Sequence, residues 1–202
     1  MQDRKPRTNV ERTEATRTAL IEAARKLFVE KSYAETGTPE IVAAAGVTRG
    51  ALYHHFADKQ ALFLAVVEQE SARVAEAIEK ASVGSFSPRE QLVAGGTAFL
   101  DAMAKDGRTR LLLLDGPAIL GRAVMDEIDG RHGNRTLREG LVGAMRAGAI
   151  RKLPVEPLTA LLAAAFDRTA LSIEAGGDPT AYREVLAALI DGLAPAGDAA
   201  RP

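Results

Sequence analysis

Cysteine is absent from this 202-residue sequence, and so is tryptophan. Without cysteine there are no disulfides, no thiolate metal sites and no cysteine nucleophile. Aromatic residues reach only 4% while alanine is abundant, which favours helix over strand, because strands draw on aromatic and β-branched side chains. No run approaches the roughly 20 apolar residues that span a bilayer. The basic start, Met1 to Arg7, has no apolar stretch behind it that would make it a secretory signal. The chain reads as cytoplasmic, with no membrane partner. A nucleophile elbow, a phosphate-binding glycine loop and metal-ligand spacing are also missing. The reading is therefore a non-enzyme with no cofactor and no metal.

What is present suits a globular protein with a real core: 47% hydrophobic and 26% charged residues, enough for one compact unit or a small domain joined to a larger one. The net charge of −1 hides an asymmetry. Residues 1–60 carry 10 Lys and Arg against 8 Asp and Glu, whereas residues 61–202 carry 16 against 19. Arg4, Lys5, Arg7 and Arg12 load the leading arm with positive charge, the distribution a nucleic-acid contact needs even where the sum is near zero.

Helical periodicity runs through the whole chain. Leu20, Ala23, Ala24, Leu27 and Phe28 share one stripe. Thr38-Pro39 reads as an N-cap with proline at the first helical position, opening a short helix that ends at Gly46. Thr48 caps a second short helix through about Phe56, and Asp58 caps a longer one. Ser87-Pro88-Arg89-Glu90 is a capping box. Arg108–Leu114 is a short apolar helix that Gly116-Pro117 is expected to break, with Ile119–Ile128 beginning another. Asn134 to Gly148 forms a further helix, Arg151 to Pro157 a connector. Two strongly striped helices, the second capped by Asp178, finish the fold before a tail from Ala194 to Pro202 predicted to be disordered. The fold class is all-α: residues 1–57 form an N-terminal arm and three-helix helix-turn-helix domain, residues 58–202 a larger helical domain.

The informative stretch is Ile41 to Phe56. Two short helices meet at Gly46, where a tight turn requires positive φ. Val47, Leu52 and Phe56 supply buried anchors. The second helix then presents Thr48, Arg49, Gly50, Ala51, Tyr53 and His54, small or hydrogen-bonding groups at its N-terminal end. Such a surface can approach the major groove closely, and arginine can bond a guanine edge bidentately. Tyr53 is read as outward because Leu52 and Phe56 already fill the inward face. His54 and His55 point about 100° apart on a helix, so the pair is no metal site. Lys59 falls in the first turn of its helix, where the macrodipole disfavours a cation. That placement makes sense if a phosphate lies opposite. Neither Arg49 nor Lys59 touches the expected core.

At these residues the chain resembles the tetracycline-repressor (TetR) family. Ile41, Ala45, Gly46, Val47, Thr48, Gly50, Leu52, Tyr53, His55, Phe56, Lys59 and Leu62 stand where that family's pattern has them. The match covers roughly the first third of the chain. The resemblance implies DNA contact from Thr48, Arg49, Gly50, Ala51, Tyr53, His54 and Lys59, with His55 packed structurally. Where many members carry Ser or Thr just ahead of the first of the two helices, this chain has Gly37. Their phosphate contact then falls to Thr36 or Thr38, or is lost.

For the larger domain, the resemblance implies a homodimer on double-stranded DNA with a palindromic operator. It also implies an unidentified apolar or amphipathic effector that releases a repressor. The dimer interface is expected from Leu158, Leu162, Phe166, Tyr182, Val185, Leu186, Leu189 and Leu193. The effector cavity is expected among Phe99, Met103, Leu111, Leu114, Leu120, Val124, Leu141, Met145 and Phe166, with Asp115, His132 and Arg168 as polar groups. A transcriptional activator of the same fold is the first alternative. An architectural DNA-coating protein is the second, disfavoured by the acidic balance of the larger domain.

Overall fold

Helix-forming periodicity is realised almost throughout. The computed structural model describes residues 9–84 and 87–195, and every regular element among them is helical. The basic residues Arg4, Lys5 and Arg7 of the leading arm, and the tail past Pro195, lie outside the described residues. The chain divides into two units, Met1–Gln69 and Glu70–Pro202.

In the first unit, α1 (Asn9–Lys31), α2 (Thr38–Ala45), α3 (Arg49–His55) and the leading half of α4 (Lys59–Ala81) surround one small core. Leu20, Ala24 and Phe28 of α1 are buried with Ile41, Leu52, Phe56, Leu62, Phe63 and Val66. Phe28 and Phe63 meet edge-to-face at 5.3 Å, and Tyr33 closes the aromatic trio. Gly46 takes φ +66° and ends α2 with its own N–H on the Ala43 carbonyl and the Val47 N–H on that of Val42. Left-handed backbone at that position favours glycine. α3 starts on Thr48, whose hydroxyl accepts from the Ala51 N–H, and Asp58 accepts from the Ala61 N–H to start α4.

One cap differs from expectation. α2 begins at Thr38, so the N-cap is Gly37 and Pro39 occupies the second helical position. Glycine has no side chain to cap with. Glu40 supplies the missing contact, accepting the Gly37 N–H at 3.2 Å while its other oxygen pairs with Lys31. Thr38 is thereby released from capping.

The second unit contains the rest of α4, α5 (Pro88–Met103), α6 (Arg108–Arg110), α7 (Gly116–Leu120), α8 (Arg122–Arg131), α9 (Gly133–Arg146), α10 (Val155–Glu174) and α11 (Pro179–Asp191). α5 packs on α9 and α11, and α10 on α9. The Ser87–Glu90 capping box and the Asp178 cap both form.

Gly116-Pro117 does not break the chain. Residues Leu111–Asp115 form a π-helical turn that joins α6 to α7, with the Gly116 N–H reaching the Leu111 carbonyl. The wider turn shifts the hydrogen-bond register ahead of the proline, so its missing N–H falls in the first turn of the next segment. The break comes instead at Gly121, φ +85°. Pro157 likewise sits inside the first turn of α10, where the N–H it lacks has no intrahelical partner.

Arg108 organises this unit. Its side chain is 4% exposed and donates through Nε to Glu70 at 2.7 Å and through a terminal nitrogen to the Ala102 carbonyl. Thr109 donates to the Met103 carbonyl, so two of the orphan carbonyls at the end of α5 are satisfied from α6. Glu70, itself fully buried, takes a second ion pair from Arg73. Arg73 is 40% exposed and reaches only one oxygen of Glu70, so removing Arg108 leaves a buried carboxylate under-compensated, whereas replacing both partners with apolar groups does not. Arg108→Met should therefore cost about 3–5 kcal/mol by chemical denaturation, and the double variant Glu70→Leu/Arg108→Met should recover most of that loss. A single variant as stable as the parent would show that the pair does not hold the unit.

Candidate functional site

The N-terminal face of α3 carries side chains with little to do inside the fold. Thr48, Arg49, Gly50, Tyr53 and His54 are exposed and Ala51 is half-buried, while Leu52 faces the core. Tyr53 is 45% exposed. Thr38 and then Arg49 hydrogen-bond its phenol oxygen and hold its pKa below the usual tyrosine range. The Arg49 guanidinium lies 5.6 Å from the centre of the Tyr53 ring. Thr38, Arg49 and Tyr53 thus form one exposed polar group at the mouth of the helix pair. His55 is half-buried and stacks edge-on between His54 and Phe56.

Gly50 has ordinary helical backbone, and a Cβ there would meet only the Thr48 hydroxyl at 3.9 Å. Nothing in the chain requires a glycine at this point, and helices disfavour one. The missing side chain keeps an outer surface low rather than relieving an inner contact.

Two other expected contacts are employed internally. Thr36 is 1% exposed, and its hydroxyl donates to the carbonyls of Leu27 and Ser32. It ties the end of α1 and does not face a phosphate. Lys59 is half-buried. Its ammonium donates to the carbonyls of Tyr33 at 2.9 Å and Thr36 at 3.1 Å, over the Tyr33 ring. The misplaced cation at the start of α4 therefore already has partners, and it pins the α1–α2 corner. One of its three N–H donors is left for anything outside.

In the second unit a cavity of about 360 Å³ opens among α4, α5, α8, α9 and α10. Of the twelve residues expected to line it, only Phe99 and Phe166 do. Met103, Leu111, Leu141 and Met145 are packed solidly into the core. Leu114 is exposed and Asp115 pairs with Arg110. Leu120, Val124, His132 and Arg168 are not among the lining residues. Ser82, Gln91, Asn134 and Thr136 add neutral polar side chains, and the cavity's charged groups, apart from Glu79 and Glu139, are Asp129 and Asp167, which the sequence reading missed. Burial raises both to about 6, assisted by Asp126 for Asp129 and by Asp129 for Asp167, while Arg122 opposes both and His132 opposes the first. Phe99 and Phe166 meet edge-to-face at 5.7 Å on the same wall. Gly96 makes that possible, since a Cβ there would fall 2.6 Å from the Phe166 ring.

The last two helices present outer apolar residues, offset from expectation on α10, while Val185 and Leu189 of α11 are exposed as expected. Leu162, Phe166 and Leu186 are buried within the chain itself, and Leu158, Tyr182 and Leu193 are half-buried. Leu161 at 71%, Val185 at 57% and Leu189 at 50% are exposed. One residue along a helix is a rotation of about 100°, which separates Leu161 from Leu162.

Comparison with known proteins follows the two units. Residues 20–66 match the model for "Bacterial regulatory proteins, tetR family", and residues 89–195 that for "Tetracyclin repressor-like, C-terminal domain". The crystal structure of a TetR-family transcriptional regulator from Pectobacterium atrosepticum is 32% identical over 94% of this chain and 98% of that one, with a TM-score of 0.74. The transcriptional repressor AcnR of Corynebacterium diphtheriae is 28% identical over 84% of this chain and 87% of its own length. AcnR of Corynebacterium efficiens is 38% identical over 65 residues, 32% of this chain. That match spans about a third, 35%, of the relative.

The cavity carboxylates set a pH dependence. Their folded values of about 6 lie above the ordinary 3.8, so between those values the native state holds protons that the unfolded chain releases. Their contribution to stability is full below about pH 4 and is lost as pH rises through about 6. Asp129→Asn and Asp167→Asn should each flatten that fall and raise Tm at neutral pH by a few degrees, about 2–4 °C per kcal/mol recovered. Calorimetry from about pH 4 to 7.5 checks this; variants with a lower neutral Tm than the parent would contradict it.

Proposed function

Because this chain belongs to the tetracycline-repressor family of bacterial regulatory proteins, we propose that it is a homodimeric transcriptional repressor. In this reading α3 reads a palindromic operator, and a small molecule in the second unit's cavity releases it. The observation that carries the DNA reading is the exposed N-terminal face of α3. It presents Thr48, Arg49, Gly50, Ala51, Tyr53 and His54 outward, beside Thr38. The half-buried Ala51 and the bare Gly50 admit a groove wall, and Arg49 has the fork that a guanine edge accepts. Lys59 contributes at most its remaining donor to a phosphate, and its main work is to hold the corner from which α2 and α3 emerge.

Dimerisation rests on Leu161, Val185 and Leu189, large apolar side chains that a monomer would leave in water. A two-fold protein reads a two-fold site. The effector reading rests on the cavity, whose volume falls in the range of small-molecule sites. A ligand there acts only through its different affinity for the DNA-competent and released states. Repression is preferred to activation because both AcnR relatives are repressors. The regulator works in the cytoplasm, where its operator is.

Selection of bound DNA from a random pool should return palindromes, and sedimentation should give a dimer at micromolar concentration. Leu189→Glu should split the dimer and abolish operator binding together. Asymmetric single sites, or an operator-binding Leu189→Glu monomer, would overturn the symmetric reading.

A paired substitution separates reading from support within the first unit. Gly50→Ala should keep or raise stability, by up to about 1 kcal/mol, while weakening operator binding about tenfold as the methyl group meets the groove. Lys59→Met should do the reverse in stability, losing two charge-assisted hydrogen bonds at a cost of about 2–3 kcal/mol. Thermal melts alongside anisotropy titrations of labelled operator measure both. Full operator affinity in Gly50→Ala would remove α3 from the groove.

A further inference from the structure

We infer that the cavity of the second unit takes a small organic cation: an ammonium head between Asp129 and Asp167 on a hydrophobic body lying against Phe99 and Phe166. This deepens the effector reading and rests on it for the ligand's regulatory role, though the binding chemistry stands on its own.

Among the residues lining the cavity there is no Lys, Arg or His, so an anionic head would find no counter-charge inside. The acids are of two kinds. Glu79 and Glu139 stand at the outer edge, and both are held by Arg135. Asp129 and Asp167 lie deeper, and no hydrogen bond or ion pair reaches either from the described residues. Arg122, whose charge acts on both carboxyls, is itself paired with Asp126 at 3.2 Å on the exposed side of α8. Two half-buried carboxylates without a partner are costly in an apolar wall. A cation entering between them supplies the missing charge, and the two carboxylates replace the water its head gives up while its apolar body gains by burial. The edge-to-face aromatic pair offers a ring face to the same head.

A divalent metal ion is the other cation to consider, and no group of three or more His, Cys, Asp or Glu able to hold one occurs among the described residues. The remaining wall is Ile78, Leu92, Leu137 and Ala163 with small or amide side chains. Such a surface accepts a hydrocarbon or aryl body and asks nothing specific of it. Charge is thus the discriminating feature and shape a secondary one.

Protonation tunes this site. Asp126 and Arg122 of α8 and His132 just past its end act on the pair Asp129 and Asp167, with Glu79, Glu139 and Arg135 around the rim. Ionised carboxylates attract the head and protonated ones do not, so affinity for a permanent cation rises with pH through the range in which the pair titrates.

The test uses one skeleton with three heads: phenylbutylamine, phenylbutanol and phenylbutyrate, titrated calorimetrically into the intact protein. At about pH 7.5 the amine should bind about tenfold or more tighter than the alcohol, and the carboxylate weakest. Lowering the pH to about 5 should weaken the amine about tenfold and leave the alcohol unchanged. Asp129→Asn and Asp167→Asn should each lose amine affinity by about tenfold while retaining the alcohol, which shows that the cavity is still formed. Equal binding of all heads, preference for the carboxylate, no binding of any, or aspartate variants with parental amine affinity would each overturn the inference. Operator affinity measured on the same samples keeps the two readings apart. Amine binding that leaves the operator bound sinks the effector role and keeps the cation site. Release by phenylbutyrate but not by the amine keeps the effector role and sinks the cation site.

Discussion

A buried ion pair sets the terms for the larger unit. Glu70 and Arg108 are both withdrawn from water; Glu70 has Arg73 as a second partner, whereas the Arg108 guanidinium has no other carboxylate among the described residues to hold it there. Arg108 also spends a donor on the frayed end of α5. One guanidinium thus fixes the register of α4, the C-terminus of α5 and the start of the bent rod from Arg108 to Leu120. A hydrophobic contact tolerates sliding, but a bonded pair of charges does not. The walls of the cavity descend from two of the elements so fixed, α4 and α5, which is how an interior can hold open space without collapsing into it.

Space of that kind needs explanation, because protein interiors close-pack. Here the opening is arranged from the backbone. Gly96 removes a Cβ that would collide with Phe166, so the edge of the ring can come up against α5. On the other side of the unit the same device works in the opposite sense. Gly116 lets Met125 of α8 close on the π-turn, since a Cβ there would sit 2.9 Å from its sulfur. Glycine makes room in one place and removes it in the other.

The sequence announced the helix boundaries where a side chain caps its own helix: Thr48, Ser87 with Glu90, and Asp178. It was less informative where the cap is supplied from elsewhere, as at Gly37, or where the register changes, as before Pro117. The α3 face was legible because exclusion works there. Leu52 and Phe56 claim the inside, so their neighbours must be outside. The cavity was not, because a stripe of apolar residues says which way a side chain points and not whether anything fills the space ahead of it. Met103, Leu111, Leu141 and Met145 point inward and are packed tight. Asp129 and Asp167 look like ordinary surface acids, although Asp167 alone interrupts the run of uncharged residues between Glu156 and Arg168, on the cavity side of α10. Thr36 and Lys59 show the converse limit. Polar residues beside a recognition element were assigned to the outside, and the fold had a prior use for them.

The outward residues of α3 have little share in the core, and that separation bears on how such a protein diverges. On the proposed reading, Arg49, Ala51 or His54 can change after a gene duplication without first surviving a loss of stability, so one copy can drift toward a new DNA sequence in single steps. The aromatic wall of the cavity offers no such freedom. Phe166 is core and wall at once, and Gly96 admits no other residue without displacing it. On the same reading a lineage would exchange target sites readily and the hydrocarbon body of its chemical signal rarely, since that second change would need compensating substitutions to arrive together.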